Sequence, residues 1–223
     1  MSSILFPESH PDSDQAPGRY PHSDGAESNA RLTALTAVVL VVLLAAEGLT
    51  ILRVRALLTP HIFIGMLLVP PVLLKMGSTI WRFTRYYLGA PDYRRKGPPL
   101  PLFRLLGPVV IILTASVFAT GIALFLGPHS WRPQMLVLHR DSFIVWFVVM
   151  TIHVLGHLRE TTKIAPRDWM RRTRHQVDGA GARQWAIAGS LALGLILALM
   201  VVPQIGPWLS AGHHGHIEGL LHP

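Results

Sequence analysis

The chain has 223 residues, of which 50% are hydrophobic and only 14% are charged, and its mean hydropathy is +0.40. Because soluble domains carry about a quarter charged residues, this composition is typical of a membrane protein and excludes a soluble enzyme. The sequence has no cysteine, which excludes disulfides, iron–sulfur clusters, zinc–thiolate sites and thiol catalysis. The formal charge of +8 comes from basic residues beside the apolar runs, so it indicates membrane topology and no nucleic-acid partner.

The chain begins and ends with polar tails. Residues 1–30 are rich in Ser, Pro, Asp and Gly and lack the apolar core and cleavage site of a signal peptide. This composition predicts a disordered cytoplasmic tail. The first membrane span after it is expected to remain in the mature protein as an anchor, because no signal peptide precedes it. Residues 210–223 contain four histidines. We expect this His-rich tail either to be a solvated, flexible end or to bind a metal ion weakly.

Five apolar segments lie between the tails, each near the roughly 20 residues that cross a bilayer. They occupy residues 31–52, 60–85, 104–127, 133–158 and 184–209. Because lipid offers no partners for backbone hydrogen-bonding groups, each segment is expected to form a helix. Residues 31–209 therefore predict an all-α membrane protein with five transmembrane helices in contact with the lipid bilayer.

The basic residues are divided unevenly among the connections. Residues 82–104 hold six and residues 159–183 hold seven, whereas the other two connections hold only Arg53 and Arg55, and Arg132. By the positive-inside bias, the two basic connections are cytoplasmic. We therefore expect a multi-pass plasma-membrane protein whose N-terminus is inside and whose C-terminal tail is extracytoplasmic.

Ionisable side chains within membrane spans are rare and usually functional. In this chain they fall on the first, second and fourth spans: Glu47, His61, Lys75, His139, Arg140, Asp141, His153 and His157. His61 and Lys75 lie fourteen residues apart on the second span, and His139 and His153 have the same interval on the fourth. On a helix this interval is a rotation of about 320° and a rise of about 21 Å. Each pair therefore faces nearly one direction at two depths.

The two pairs also match in depth when each helix is counted from its cytoplasmic end. His61 then lies opposite His139 near the outer face, and Lys75 lies near the inner face at the depth of His153. Two histidines that face a shared space from neighbouring helices are what six-coordinate haem iron requires.

We therefore predict a haem between His61 and His139, held in a four-helix bundle of the haem-binding type. Gly65, four residues after His61, would give the flat porphyrin room, and Gly121 on the third span would help. Arg140, next to His139, is a candidate partner for a haem propionate.

Several roles are open for the residues near the inner face of the membrane. Lys75 would ligate iron only if it were deprotonated; otherwise it contacts a propionate or a quinone, or extends its amine to the membrane surface. Met76 is a weak alternative ligand, and His153 is a candidate axial ligand without a histidine partner. His157 is predicted to contact a lipid headgroup or a propionate. Glu47 is expected near the outer face, as a proton-carrying group close to a quinone site.

The interval between His139 and His153, with a matching interval that begins at His61, resembles the haem ladder of membrane b-type cytochromes. That superfamily includes respiratory cytochrome b, cytochrome b561-like proteins and the cytochrome b subunits of hydrogenases and formate dehydrogenases. The stretches PPVLLKMGSTIWRFTRYYLG, LHRDSFIVWF and HVLGHLRE are also similar to small actinobacterial membrane proteins associated with it. The resemblance covers about residues 55–160.

This resemblance implies an axial pair at His61 and His139 and half of a second pair at His153. Family members carry four histidines for two haems, or fewer for one, and Lys75 stands where the fourth would be. One haem b is therefore expected, and a second stays open. The resemblance also implies electron transfer between a quinone or other donor and a partner redox protein, with any substrate chemistry on a separate subunit.

A non-redox membrane protein is the alternative hypothesis. In a small transporter or an assembly factor, the intramembrane His, Lys and Glu side chains would form a proton or ion path. Paired Gly or Pro breaks in two halves of the chain would favour a transporter. Only the second span has such a break, at Pro70 and Pro71, so the sequence favours electron transfer.

Overall fold

The computed structural model describes residues 25–95, 101–169 and 179–206, with side chains except at residues 95, 101–103 and 158–169. The predicted His-rich tail and residues 1–24 lie outside the described residues. Six α-helices run along the described chain: α1 (Gly25–Ile51), α2 (Leu58–Tyr87), α3 (Pro91–Arg95), α4 (Pro101–Leu126), α5 (Arg132–Trp169) and α6 (Ala180–Val201). Two single 3-10 turns, His129–Trp131 and Val202–Gln204, precede α5 and follow α6.

Five of these helices, all except α3, are long and apolar enough to cross a membrane. The predicted number of spans and the all-helical class are therefore confirmed for the described residues, and they indicate a multi-pass membrane protein. The α1 helix begins at Gly25, so residues 25–30 are not part of a disordered tail as predicted. The polar first turns of α1 are stabilised by Glu27, whose negative charge lies at the N-terminal end of the helix and pairs with Arg31 one turn later.

The helices alternate in direction, and their contacts follow from this order. Helix α2 packs between α1 and α6, α4 pairs with α5, and α5 also touches α1. Two small apolar cores form at these contacts. One joins Leu35 of α1 to Ile187 of α6, and the other joins Leu40 of α1 to Leu68 and Val72 of α2.

Helix α2 is continuous through Pro70 and Pro71, where the sequence suggested a break. Pro71 has no N–H to donate to the carbonyl of Leu67, four residues earlier. Helix α6 packs against that carbonyl, because a side chain on Gly194 would collide with the Leu67 oxygen. A small residue at this crossing lets the two backbones approach closely, as at many helix contacts in membranes.

Candidate functional site

His61 and His139 meet where the first turn of α2 passes the second and third turns of α5. Their ring centroids are 6.3 Å apart and their planes cross at 73°. The pairing predicted from matched depth is therefore present in the structure. Both rings are partly buried, so the two histidines face each other within the packed helices.

His61 is held by the end of α1. The short connection at residues 52–57 folds α2 back along α1, which places Glu47 beside His61. The His61 Nδ1 atom lies 2.7 Å from Glu47 Oε1 and 3.2 Å from the hydroxyl of Thr50. That hydroxyl donates to the backbone oxygen of Glu47 at 2.6 Å. It therefore accepts from His61, whose Nδ1 carries the hydrogen.

His139 is held in the same manner by the end of α4. Its Nδ1 atom lies 3.1 Å from the carbonyl oxygen of Val117 and 3.2 Å from the hydroxyl of Thr120. A carbonyl oxygen only accepts, so Nδ1 must be the protonated nitrogen of this ring. The Thr120 hydroxyl donates to the Ser116 carbonyl at 2.7 Å, which leaves its lone pairs for the same N–H.

The two hydrogen-bond networks assign one tautomer to both rings. With hydrogen on Nδ1, each neutral ring has its lone pair on Nε2, the nitrogen that binds a metal. A histidine that binds a metal typically donates its other N–H to a carboxylate or a carbonyl. Glu47 and Val117 supply one acceptor of each kind.

Two glycines border the pair. A side chain on Gly121 would begin 3.0 Å from Cε1 of His139, so the absence of one lets the ring lie against α4. Gly65, a predicted site residue, lies one turn after His61, and a side chain there would begin 3.8 Å from Glu47 Oε1. Both glycines therefore keep side chains away from the space around the histidines.

The Lys75 group, which comprises Lys75, His153 and His157, lies nearer the other end of the same helices. Lys75 donates from Nζ to the carbonyl of Thr33 on α1 at 2.9 Å. The rings of His153 and His157 are 4.8 Å apart. Within the described chain, the buried Nδ1 of His153 has no hydrogen-bond partner.

The predicted propionate partner, Arg140, lies on the outward face of α5. Its Nε donates to Asp141 at 3.1 Å, and the two side chains are 68% and 56% exposed. A charged pair is thus present beside His139 in sequence but turned away from it. The role of Arg140 toward a propionate stays a prediction.

A metal centre built from protein ligands alone is not indicated in the described part of the chain, because it contains no group of three or more His, Cys, Asp or Glu side chains arranged to hold a metal ion. The His61–His139 pair brings two ring nitrogens with free lone pairs to one place, and two is the number of ligands that six-coordinate haem iron takes from a protein. No family model, curated protein or solved structure matches the chain. The resemblance to membrane b-type cytochromes therefore stays a prediction, and the site is interpreted from its own geometry.

The sequence did not predict the contact between Glu47 and His61. The signal for it was present, since Glu47 lies four residues before the end of α1 and His61 is the fourth residue of α2. Two antiparallel helices joined by a short turn place such residues at one depth. The threonines and the Val117 carbonyl give no comparable signal, because threonines and backbone carbonyls occur throughout membrane helices.

Proposed function

We propose that this protein is a membrane-embedded electron-transfer protein that binds one haem b between His61 and His139. The observation that carries the proposal is the facing pair of histidines, each with its Nδ1 hydrogen engaged. Two imidazole–metal bonds of about 2 Å each separate the centres of two opposed rings by about 6 Å. The ring centroids are 6.3 Å apart, which is the spacing expected of two imidazoles that bind one iron.

When bound, haem b would supply a one-electron carrier whose potential depends on its ligands and surroundings. The chain's own residues prepare the site for it. Glu47 orients His61 and makes the ring a stronger donor, because a carboxylate draws the Nδ1 hydrogen toward itself. The Val117 carbonyl and the Thr120 hydroxyl orient His139, and Gly65 and Gly121 leave room near the rings.

The Lys75 group fits a second haem less well. Lys75 donates from Nζ to the Thr33 carbonyl of α1, which holds the amine against α1, whereas an iron ligand would have to be neutral and direct its lone pair at the metal. His153 has no histidine opposite it, and its nearest ring is His157 on the same helix. We therefore infer one haem per chain and assign the Lys75 group no iron ligand.

The orientation in the membrane and the role in electron transfer are proposed from the sequence. The basic connections orient the protein in the plasma membrane with the His61–His139 pair near the outer face. Electrons would pass between a quinone or other donor and a partner redox protein. The proposed role is that of an electron-transfer subunit, with substrate chemistry on a separate protein.

The contact between Glu47 and His61 also favours the second candidate, a proton path in a non-redox membrane protein. A carboxylate and an imidazole at 2.7 Å can exchange a proton within the membrane. In this alternative the two histidines carry protons and no iron. The same measurement separates the two functions, because only the first requires a bound chromophore.

The test is a reduced-minus-oxidised absorbance spectrum of the purified full-length protein, produced with ample haem. The proposal predicts Soret and alpha bands of a six-coordinate haem b. A protein that is folded in detergent and lacks both bands would overturn the proposal and favour the proton path.

A further inference from the structure

The Arg140–Asp141 pair lies in the outer half of the predicted span of α5. Arg140 is eight residues, or about 12 Å of helix rise, from Arg132 at one end. It is nineteen residues, or about 28 Å, from Arg159 at the other. Both charged side chains are more than half exposed. In a single copy of the chain they would therefore face lipid, where charged groups are costly.

The ion pair within one chain uses only part of the hydrogen-bonding capacity of these two side chains. One bond joins Arg140 Nε to Asp141 Oδ1, whereas a guanidinium has five N–H donors and a carboxylate has two oxygens. A long arginine can extend toward the headgroups, but the short side chain of Asp141 cannot follow it. Within the described residues, these two side chains have no further polar partner.

The surrounding face of α5 has the pattern of a helix-pairing seam. Its members recur every three or four residues and are all exposed: Val137, Asp141, Ile144, Val148, Thr151 and Leu155. They occupy the alternating 3–4 spacing of a heptad repeat, which places them on one stripe that faces a second helix at a crossing angle of about 20°. Arg140 borders this stripe next to Asp141.

We propose that this seam of α5, defined by those six residues, docks against the same seam of a second copy of the chain. A two-fold axis normal to the membrane keeps each residue at the depth of its copy, so a charge that borders the seam lies beside the adjacent seam residue of the partner helix. Arg140 of each copy then faces Asp141 of its partner. The two reciprocal ion pairs supply the missing polar partners within the membrane.

A second copy fits this face better than an unrelated subunit because the face carries both signs of charge side by side. A different partner would need its own acid and base at matching positions, whereas a second copy has them by symmetry. The histidine pair is on the opposite, inward face of α5, so the docking does not require the haem site. The proposal thus stands independently of the proposed function.

Cysteine cross-linking of the full-length protein in native membranes tests the proposal, and the chain contains no cysteine that would interfere. Ile144→Cys places a thiol at the centre of the seam. Leu193→Cys on α6 is the matched control, because it is 52% exposed against 55% for Ile144 and also lies near the middle of its span. Oxidation should give disulfide-linked dimers of Ile144→Cys and only background with Leu193→Cys.

Charge reversal then tests the pairing itself. Asp141→Arg in the Ile144→Cys background puts two arginines on each copy and should reduce cross-linking at least about tenfold, because like charges in an interface repel strongly. Exchange of both charges, Arg140→Asp with Asp141→Arg, should restore cross-linking and thereby show that the variants fold. Equal cross-linking at residues 144 and 193, cross-linking to a different protein, or no restoration by the double exchange would overturn the proposal.

Discussion

The His61–His139 pair and the Lys75 group begin from the same sequence feature and differ in what surrounds them. In each, two ionisable residues match in depth on α2 and α5. At the first level, the ends of α1 and α4 supply an acceptor for each histidine Nδ1, at 2.7 Å and 3.1 Å. At the second level, Lys75 donates to the Thr33 carbonyl of α1. The Nδ1 atom of His153 has no hydrogen-bond partner within the described residues.

In the proposed haem site, the neighbouring helices distinguish the first level from the second. Equal depth brings side chains to one level of the membrane, but a ligand also needs its other polar atoms engaged so that one nitrogen is fixed toward the metal. Only the first level meets both conditions. The comparison therefore predicts graded effects for substitutions at the two levels.

The largest effect is expected from removal of either proposed axial ligand, His61 or His139. His61→Ala or His139→Ala should abolish haem binding, because one remaining imidazole cannot supply both axial ligands. The measurement is the reduced-minus-oxidised spectrum of each purified variant. His129→Ala is the matched control, since His129 is an exposed histidine in the turn before α5 and its loss should leave the spectrum intact. Retained wild-type bands in both ligand variants would place the haem elsewhere.

A smaller effect is expected from the acceptor of His61. Glu47→Ala should weaken haem affinity about 10- to 100-fold, the usual effect of losing a group that orients a metal ligand. Glu47→Gln keeps a hydrogen-bond acceptor and should lose less.

Titration of the haem-free protein with haem measures this effect directly. Thr120→Val serves as the comparison at His139, because the Val117 carbonyl still accepts from Nδ1. An affinity of Glu47→Ala equal to that of the wild type would show that the carboxylate does not orient a ligand.

The smallest effect is expected at the second level. Lys75→Met removes one hydrogen bond between α1 and α2, and such bonds in membranes contribute about 1 kcal/mol. Because the substitution also removes a charge from the span, the net change in thermal stability should be small. Haem content should be unchanged in Lys75→Met and in His153→Ala. A loss of half of the haem in either variant would reveal a second haem at this level.

The sequence predicted the helices well because apolar length is a local property. All five spans are present, and the errors lie at their ends. Helix α1 begins six residues earlier than predicted, since its first turns are polar and are stabilised by Glu27 and Arg31, which a search for apolar runs does not detect.

The site was predicted in part, for physical reasons that the two levels illustrate. The meeting of His61 and His139 follows from matched depth on two spans that run in the same direction, which can be counted from the sequence. The contact of Lys75 with Thr33 could not be predicted from residue counts, because depth in the membrane does not specify which neighbouring helix lies on that side of α2. The acceptor of His139 is a backbone carbonyl, for which no residue pattern exists.

The ratio of haem to chain, measured by a pyridine haemochrome assay on the purified full-length protein, tests whether His61 and His139 hold one haem and the Lys75 group none. About one haem b per chain is expected in the wild-type protein and none in His61→Ala. A wild-type ratio of zero would contradict haem binding altogether. A ratio near two would contradict the distinction between the His61–His139 pair and the Lys75 group.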